Sequence, residues 1–450
     1  MHRHRFVLLF TLSMVGVLLP TASASAAVIT PTVFTDEPSS GDCSLRDAIR
    51  SADFDLQFDQ CTTGAGADTI VLQAGTYSLT LEGDGEDNAE TGDLDIFSSD
   101  LTIIGAGPGA TFIDGAWPSD PDRIFETRDG GDLTLSGLTL RDGETPDQGG
   151  AVQSAADTTL TIRQAILESN EAQDGGAIAN EGLLQLTDVS VVSNVAIGCC
   201  GGVLDENGST LMNVTIAGNQ ATFNGGGSAT NGSLTNVTVS GNSATDTGGG
   251  YMADGDVTIN SSTITANTAD SDNNGSGDGG GLANDGGADT ATLSNSIVAG
   301  NVDRGGEAPD CDDVGSTISA GHNLIGNTTG CAFTPGTADL QNVDPMLGPL
   351  ADNGGLTMTH ALLPGSPAID AGGSDAAPTD QRGLPRNPDI GAYELVLCKK
   401  VPINRIGTAG NDLLTGTSGA DGFLAQDGND RAKGLGGNDA ACMGGGKDTA

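Results

Sequence analysis

The sequence predicts an all-β protein: a right-handed parallel β-helix (a pectate-lyase-like solenoid) followed by a small parallel β-roll. Three observations lead there. A motif recurs every 23 to 34 residues across 133–301, a nine-residue repeat fills the end of the chain, and 70 of 450 residues are glycine while only 3% are aromatic. Such a composition does not suit an ordinary globular core, but it suits a repetitive β architecture with many turns.

The longer repeat reads apolar-x-apolar-x-x-apolar-x-apolar-x-x-Asn. Its first copy ends at Gly143, and the later copies end at Asn170, Asn194, Asn219, Asn242, Asn267 and Asn301. One apolar column is Leu135, Ile162, Leu186, Leu211, Leu234, Ile259 and Leu293, and the second is Leu140, Leu167, Val191, Ile216, Val239, Ile264 and Val298. Alternation with one two-residue break predicts two short strands that meet at a bend, not a helix.

A unit of this length cannot bury its apolar face alone, so the coils must stack on one another. Each Asn then falls at a turn, where its amide can bond the backbone or the Asn one coil away. A Gly-Gly pair punctuates each coil, from Gly149-Gly150 to Gly280-Gly281. A leucine-rich-repeat solenoid is the alternative, but it would need longer units with a helical arc and less glycine.

The nine-residue repeats start at residues 407, 416, 425, 434 and 443, with Gly fourth and Asp sixth in each. Gly permits the positive φ of a tight turn, and Asp supplies a hard oxygen ligand. The pattern resembles the nonapeptide repeats of RTX toxins and proteases, which implies a parallel β-roll that binds about three Ca²⁺ ions between its turns. The metal-site residues predicted in this way are Gly410, Asp412, Gly419, Asp421, Gly428, Asp430, Gly437, Asp439 and Asp448. We expect the roll to be mostly disordered without calcium; a flexible Gly/Asp linker is the alternative.

Residues 1–27 are expected to be a secretory signal peptide, because a basic start precedes an apolar run and small residues. The rest divides into an N-terminal cap with the first coils (28–132), the β-helix repeats (133–301), a C-terminal cap module (302–397) and the calcium repeats (398–450). The net charge of −43 makes nucleic acid and anionic membranes poor partners. We expect a secreted or cell-surface location and no membrane span in the mature chain.

Eight cysteines in an exported chain can form disulfides. Their spacing suggests Cys43–Cys61, Cys311–Cys331 and Cys398–Cys442, with free buried thiols as the alternative. Adjacent Cys199 and Cys200 leave their own state open.

Several segments resemble exported bacterial β-helix proteins. CSLRDAI at 43–49 resembles the CSLREA-type N-terminal module, and GGAI at 175–178 resembles the repeats of polymorphic outer-membrane proteins. Residues 342–372 and 379–394 resemble the module that precedes a variable surface anchor in such proteins. The resemblance implies an exported solenoid with end caps, which would protect its sheet edges.

The residues argue against an enzyme. No Lys lies between residue 28 and Lys399, and Arg141 and Arg163 are the only basic residues of the stretch 133–301. A lyase acting on an anionic sugar needs a base and a cationic or calcium clamp. The only histidines expected in the mature chain are His322 and His360. Because the chain has 60 acidic residues, pairs of neighbouring carboxylates arise by composition alone and do not indicate a catalytic pair.

Two acidic loops, 82–95 and 270–278, are predicted as further cation sites, or else as exposed polar insertions. The sequence thus predicts a non-enzymatic, adhesin-like calcium-binding rod that contacts polysaccharide or a host or matrix surface. A polysaccharide lyase or glycosidase on the β-helix scaffold is the alternative.

Overall fold

The computed structural model describes residues 26–36, 41–83, 85–86, 88–97, 100–117, 119–128, 130–284, 290–312 and 316–450. Within these residues the chain is almost entirely β, and the strands of successive coils pair in parallel. The predicted parallel β-helix and the small parallel β-roll are confirmed. The predicted signal peptide lies outside the described residues, apart from residues 26 and 27.

The strands follow the chain in three groups. Those of the first coils are Val28–Ile29, Asp68–Val71, Gly75–Ser78, Leu94–Phe97, Leu101–Ile104, Thr111–Asp114, Phe125–Arg128, Leu133–Ser136 and Thr139–Arg141. Those of the later coils are Val152–Ser154, Thr159–Glu168, Glu171–Ala172, Ile178–Asn180, Leu183–Val192, Val195–Ala196, Val203–Asp205, Ser209–Met212, Thr215–Ala217, Gln220–Ala221, Ser228–Thr235, Thr238–Ser240, Ser243–Ala244, Tyr251–Asn260, Thr263–Thr265, Thr268–Ala269, Leu282–Asn284, Thr290–Ser294, Ile297–Val298, Val302–Asp303, Ser316–Gly321, Leu324–Ile325 and Leu340–Gln341. The last group is Leu347–Ala351, Thr359–Leu362, Leu397–Cys398, Val401–Ile406, Leu413–Thr415, Gly422–Leu424, Arg431–Lys433 and Ala440–Cys442.

Both predicted apolar columns stack in register. Leu135, Ile162 and Leu186 are direct partners on neighbouring strands, and the pairing continues through the column to Leu293. The second column runs likewise from Leu140 to Val298. All members are buried, so these columns form the core of the helix.

The bend between the two strands of each coil has a local cause. At the two-residue break in the apolar alternation, one residue takes a positive φ of 48° to 67°, which turns the chain. The residues at this position are Gly137, Gln164, Asp188, Asn213, Asn236, Ser261 and Asn295. Asp and Asn suit this conformation because their short polar side chains tolerate it.

The predicted asparagine ladder is present. Each ladder Asn donates its backbone N–H and its side-chain Nδ2 to the Oδ1 of the next one, over 2.9 to 3.0 Å. The ladder runs from Asn170 to Asn301 and ends on buried Asp310, whose Oδ1 accepts both bonds of Asn301 at 3.0 Å. Burial raises the pKa of Asp310.

One α-helix occurs among the described residues, Leu45–Asp53 at the N-terminal end. Ser44 caps it, since the Ser44 Oγ accepts from the Asp47 N–H (3.1 Å) and the Asp47 carboxylate accepts from the Ser44 N–H (3.3 Å). No helical arc recurs in the described coils, so the leucine-rich-repeat alternative is wrong.

The segment 342–394 folds back along the flank of the solenoid. Gln381 accepts from the Thr238 Oγ1 at 2.6 Å and donates to the Thr215 Oγ1 at 2.9 Å. His360 packs its Nε2 2.8 Å from the Ser240 Oγ, and burial lowers its pKa. This segment therefore covers one face of the coils instead of standing beyond their end.

All eight cysteines are paired. The predicted bonds Cys43–Cys61, Cys311–Cys331 and Cys398–Cys442 are confirmed, and Cys199 and Cys200 bond to each other. The free-thiol alternative is wrong. Cys200 has a φ of 70°, in a position that Gly175 and Gly225 fill in the neighbouring coils.

Candidate cation sites and an acidic cleft

The nine-residue repeats pair with the repeat after next. Leu413–Thr415 pairs in parallel with Arg431–Lys433, and Gly422–Leu424 pairs with Ala440–Cys442. Val401–Ile406 extends the second sheet and leads back to the solenoid. Turns on one side of the roll therefore come from alternate repeats.

The aspartate column divides between the two sides. Asp412, Asp430 and Asp448 stack on one side, where the Asp430 Oδ1 accepts from the Asp412 N–H (2.8 Å) and the Asp448 Oδ1 from the Asp430 N–H (3.0 Å). On the other side the Asp439 Oδ1 accepts from the Asp421 N–H at 3.1 Å. Five carboxylates thus lie in two stacks, each one strand spacing from the next of its stack.

The glycine column permits this close stacking. Gly428 and Gly437 have φ values of 138° and 115°. A Cβ on Gly437 would lie 2.0 Å from the carbonyl oxygen of Gly419, and one on Gly428 would lie 2.1 Å from that of Gly410. Only glycine fits where one turn lies so close upon the next.

The aspartates of the roll differ in whether their Oδ2 atom accepts a hydrogen bond, and the one that does not is suited to bind a hard cation. The Thr408 and Thr417 N–H groups each donate to the Oδ2 of the Asp in their own repeat, at 2.6 Å. The third repeat has Gln426 at that position, and the Oδ2 of fully buried Asp430 accepts no hydrogen bond. A buried carboxylate oxygen without a donor is costly unless a cation binds it.

The two acidic loops have different surroundings. In 270–278, Asp270 closes its own loop by accepting from the Asn274 N–H at 2.8 Å. Asp278 instead meets Asp303 and Glu307 of the next coil, with carboxylate oxygens within 4.8 Å of one another. Burial, followed by the charges of Asp312 and Asp303, raises the pKa of Asp278.

The loop 82–95 forms part of a cleft in the first coils. Asp93 and Asp95 lie at its end, and Glu126 stands directly beside Asp95 on the next strand. One oxygen from each of these three buried carboxylates lies within 4.8 Å of the other two. The cleft has a volume of about 530 Å³, and its wall continues over Gln148, Gln153, Gln173, Asp147 and Asp174.

Two arginines cross this carboxylate group. The Arg123 Nη1 donates to Glu126 (2.7 Å) and Asp93 (3.3 Å), and the Arg128 Nη2 donates to Glu126 (2.7 Å). The Arg128 Nε lies 3.4 Å from the Asp95 Oδ1. The group therefore combines buried acids with cations, an arrangement that the sequence analysis did not foresee.

Burial weakens the acids of the cleft. It raises the pKa of Asp95 to about 7. It also raises the pKa of Asp93 well above its usual range, with further contributions from the charges of Asp95 and Asp122. Full ionisation of this group therefore requires a nearby counter-charge.

Glu126, Arg123 and Arg128 were missed because they precede residue 133, where the regular repeat begins. A signal was present. In the strand Phe125–Arg128, Glu126 and Arg128 occupy alternate positions. Asp95, in the paired strand Leu94–Phe97, and Asp93, just before that strand, alternate in the same way. His322 and His360 are not part of the cleft: the Nε2 of His360 lies 2.8 Å from the Ser240 Oγ, and the Nδ1 of His322 bonds the Ala371 carbonyl (2.9 Å).

No described helix is long and apolar enough to cross a membrane.

No protein-family model and no curated protein matches this chain. Among solved structures it is similar to the pectate lyase Pel9A, with 13% identity and a TM-score of 0.41 over 82% of this chain and 97% of the lyase. It is also similar to the PL6 family alginate lyase AlyGC, with 11% identity and a TM-score of 0.25 over 82% of this chain and 64% of that one. Similarities this low carry no information about activity.

Proposed function

We propose that this protein is an extracellular calcium-binding rod. Its β-helix presents a long surface to a polysaccharide or to a host or matrix surface, and its C-terminal roll is ordered by Ca²⁺ between stacked turns. The residues proposed to hold the ions are the Asp and Gly columns from Gly410 to Asp448.

The observation that carries the proposal is the Oδ2 of Asp430, which is buried and accepts no hydrogen bond. It belongs to a stack of three carboxylates, with Asp412 above and Asp448 below. Two unit charges ~4.8 Å apart repel by about 3.5 kcal/mol at an effective dielectric of 20. A hard divalent ion with oxygen ligands would offset that repulsion and supply the missing partner.

Little packing opposes the repulsion. The buried apolar residues in and next to the roll include Val401, Ile403, Phe423 and Ala440 beside the Cys398–Cys442 disulfide, while Leu413 and Leu435 are 70% and 62% exposed. The ion-binding free energy would therefore be folding free energy for this segment. Four disulfides are consistent with the proposed location outside the cell.

The test is amide hydrogen exchange of the full-length protein during a calcium titration. Residues 407–450 should gain protection at calcium levels on the order of 10⁻⁴–10⁻³ M. Asp430→Asn should raise the calcium required by about ten-fold or more, because one charged ligand is lost. Glu206→Gln, which removes an exposed acid of the solenoid, is the matched control and should change nothing. Equal protection of 407–450 in chelator and in millimolar calcium would overturn the proposal.

The second candidate function is a carbohydrate-active enzyme, and the cleft is the observation that favours it. Glu126 and Asp95 lie beside each other on paired strands, and Arg128 contacts both carboxylates. A glycosidase needs only two carboxyl groups. The experiment is to incubate the protein with a panel of uronans and neutral glycans in calcium. Release of reducing ends or unsaturated products, lost in Glu126→Gln, would establish the enzyme and displace the non-enzymatic rod.

A further inference from the structure

The loop that ends at Asp93 is held rigidly against the first coils. Buried Arg46, in the CSLRDAI segment, donates to the carbonyl oxygens of Gly92 (2.7 Å) and Asp93 (2.9 Å) and pairs with Asp36. The Asp93 N–H donates to the Asp122 Oδ2 at 3.1 Å. The backbone at the loop end is therefore fixed by Arg46 and Asp122, which hold Asp93 in place before any ion binds.

One oxygen in this group lacks a hydrogen-bond donor. The Asp95 side chain is fully buried, and its Oδ2 accepts from the Ala89 N–H at 2.9 Å. Its Oδ1 accepts no hydrogen bond, although the Arg128 Nε is 3.4 Å away, and one carboxylate oxygen of Asp95 lies within 4.8 Å of one oxygen each of Asp93 and Glu126. A fully buried carboxylate oxygen in this position is the kind of ligand atom that a bound cation satisfies.

The charges leave room for a divalent ion. Four carboxylates meet here, those of Asp93, Asp95, Asp122 and Glu126, while Arg123 and Arg128 supply two positive charges. Two negative charges are left in a buried place. One divalent cation neutralises them, and the oxygen-only donor set selects a hard ion.

We propose that Asp93, Asp95 and Glu126 bind one Ca²⁺ at the floor of the cleft. Calcium fits better than magnesium because the three ligands come from a loop end and two strands, an irregular set that the flexible coordination of Ca²⁺ accepts. The open side of the ion faces the cleft wall with its Gln148, Gln153 and Gln173 side chains. This site is separate from the roll and does not rest on the calcium sites proposed there.

The test counts the calcium ions bound by the full-length protein in equilibrium dialysis, alongside Asp95→Asn and Glu126→Gln. Each variant keeps the shape of its side chain and removes one charge. Each should lose one ion, or bind that ion at least about ten-fold more weakly, with circular dichroism unchanged. Asp157→Asn, an exposed acid in the neighbouring surface hollow, is the matched control and should bind as the unaltered protein does.

The same measurement in the Asp430→Asn background separates the two calcium proposals. The Asp430→Asn protein should still bind the cleft ion, and adding Asp95→Asn should remove that ion, whatever happens in the roll. Unchanged stoichiometry and affinity in both Asp95→Asn and Glu126→Gln would overturn the cleft site, and would mean that protons and the two arginines alone balance the buried acids. If either variant misfolds, hydrogen exchange of 88–97 in the unaltered protein decides: protection that does not change with calcium would also overturn the site.

Discussion

Replacing Asn219 by Ala should strongly destabilise the solenoid, because this residue is a central rung of the asparagine ladder. Its Oδ1 accepts from the N–H and the Nδ2 of Asn194, both at 2.9 Å. Its Nδ2 donates to the carbonyl of Val191 and to the Oδ1 of Asn242, both at 3.0 Å. All four bonds disappear with the side chain.

Two buried donors lose their acceptor in that variant: the Asn194 N–H and one hydrogen of its Nδ2. The Val191 carbonyl loses one donor, and the Oδ1 of Asn242 keeps the backbone N–H of residue 219 as a donor. A stranded buried group costs about 1–3 kcal/mol. Even the lower figure for each of the two donors gives about 2 kcal/mol, a large share of the stability of an ordinary domain.

The assay is urea unfolding followed by far-ultraviolet circular dichroism. Asn207→Ala serves as the control, because Asn207 is exposed and should cost no more than about 0.5 kcal/mol. Asn219→Asp should also destabilise the coil, since a second oxygen would face the Val191 carbonyl where an amide now donates. A loss below about 1 kcal/mol for Asn219→Ala would refute the reasoning that the ladder satisfies buried backbone groups.

Three other predictions concern titration, covalent bonding and the flank segment. Burial raises the pKa of Asp205 to about 6, above the ~3.9 of an unfolded chain, so the folded state holds the extra proton. Between those values stability should fall as the pH rises, by at most ~3 kcal/mol, and the free energy of unfolding of Asp205→Asn minus that of the unaltered protein should increase over the same window. Replacing Cys398 and Cys442 together by Ser opens a 44-residue loop worth about 4 kcal/mol in chain entropy, so hydrogen exchange should show the roll needing more calcium to order. Gln381→Ala removes the three bonds of this side chain to Val214, Thr215 and Thr238 of the coils, and limited proteolysis should then cut 342–394 faster while the coils stay intact.

Periodic features of this fold could be predicted from the sequence. The apolar columns recur in every coil of 133–301 and the asparagine column in all but the first of them, and a residue pattern that repeats with the coil must stack when the coils stack. The bend of each coil could be placed but not explained, because its positive-φ position accepts Gly, Gln, Asp, Asn and Ser alike. The direction of the flank segment was also out of reach, since Gln381 reaches Thr215 across more than 160 residues and nothing in the local pattern marks that contact.

The candidate sites divide in the same way. The nine-residue repeats predict where Asp412, Asp430 and Asp448 lie, because one register fixes the whole stack. The cleft is assembled once, from a loop end and two strands that belong to no repeat. The sequence predicts a cation site in the acidic loop that contains Asp93 and Asp95. Their proximity to Glu126 depends on strand pairing before the regular coils begin, which the sequence pattern does not show.

The placement of the arginines limits what the rod can bind. Arg46, Arg123 and Arg382 are at most 8% exposed, and each is bound to carboxylates of the chain itself. Acids are buried together with these arginines, but with 60 acids and 17 basic residues in all the chain stays strongly acidic. An anionic glycan would meet repulsion along the coils unless divalent ions lay between the two. Under our proposals calcium would then join acidic surfaces in addition to ordering the roll and occupying the cleft site, and glycan binding should disappear when calcium is removed even where the solenoid stays folded.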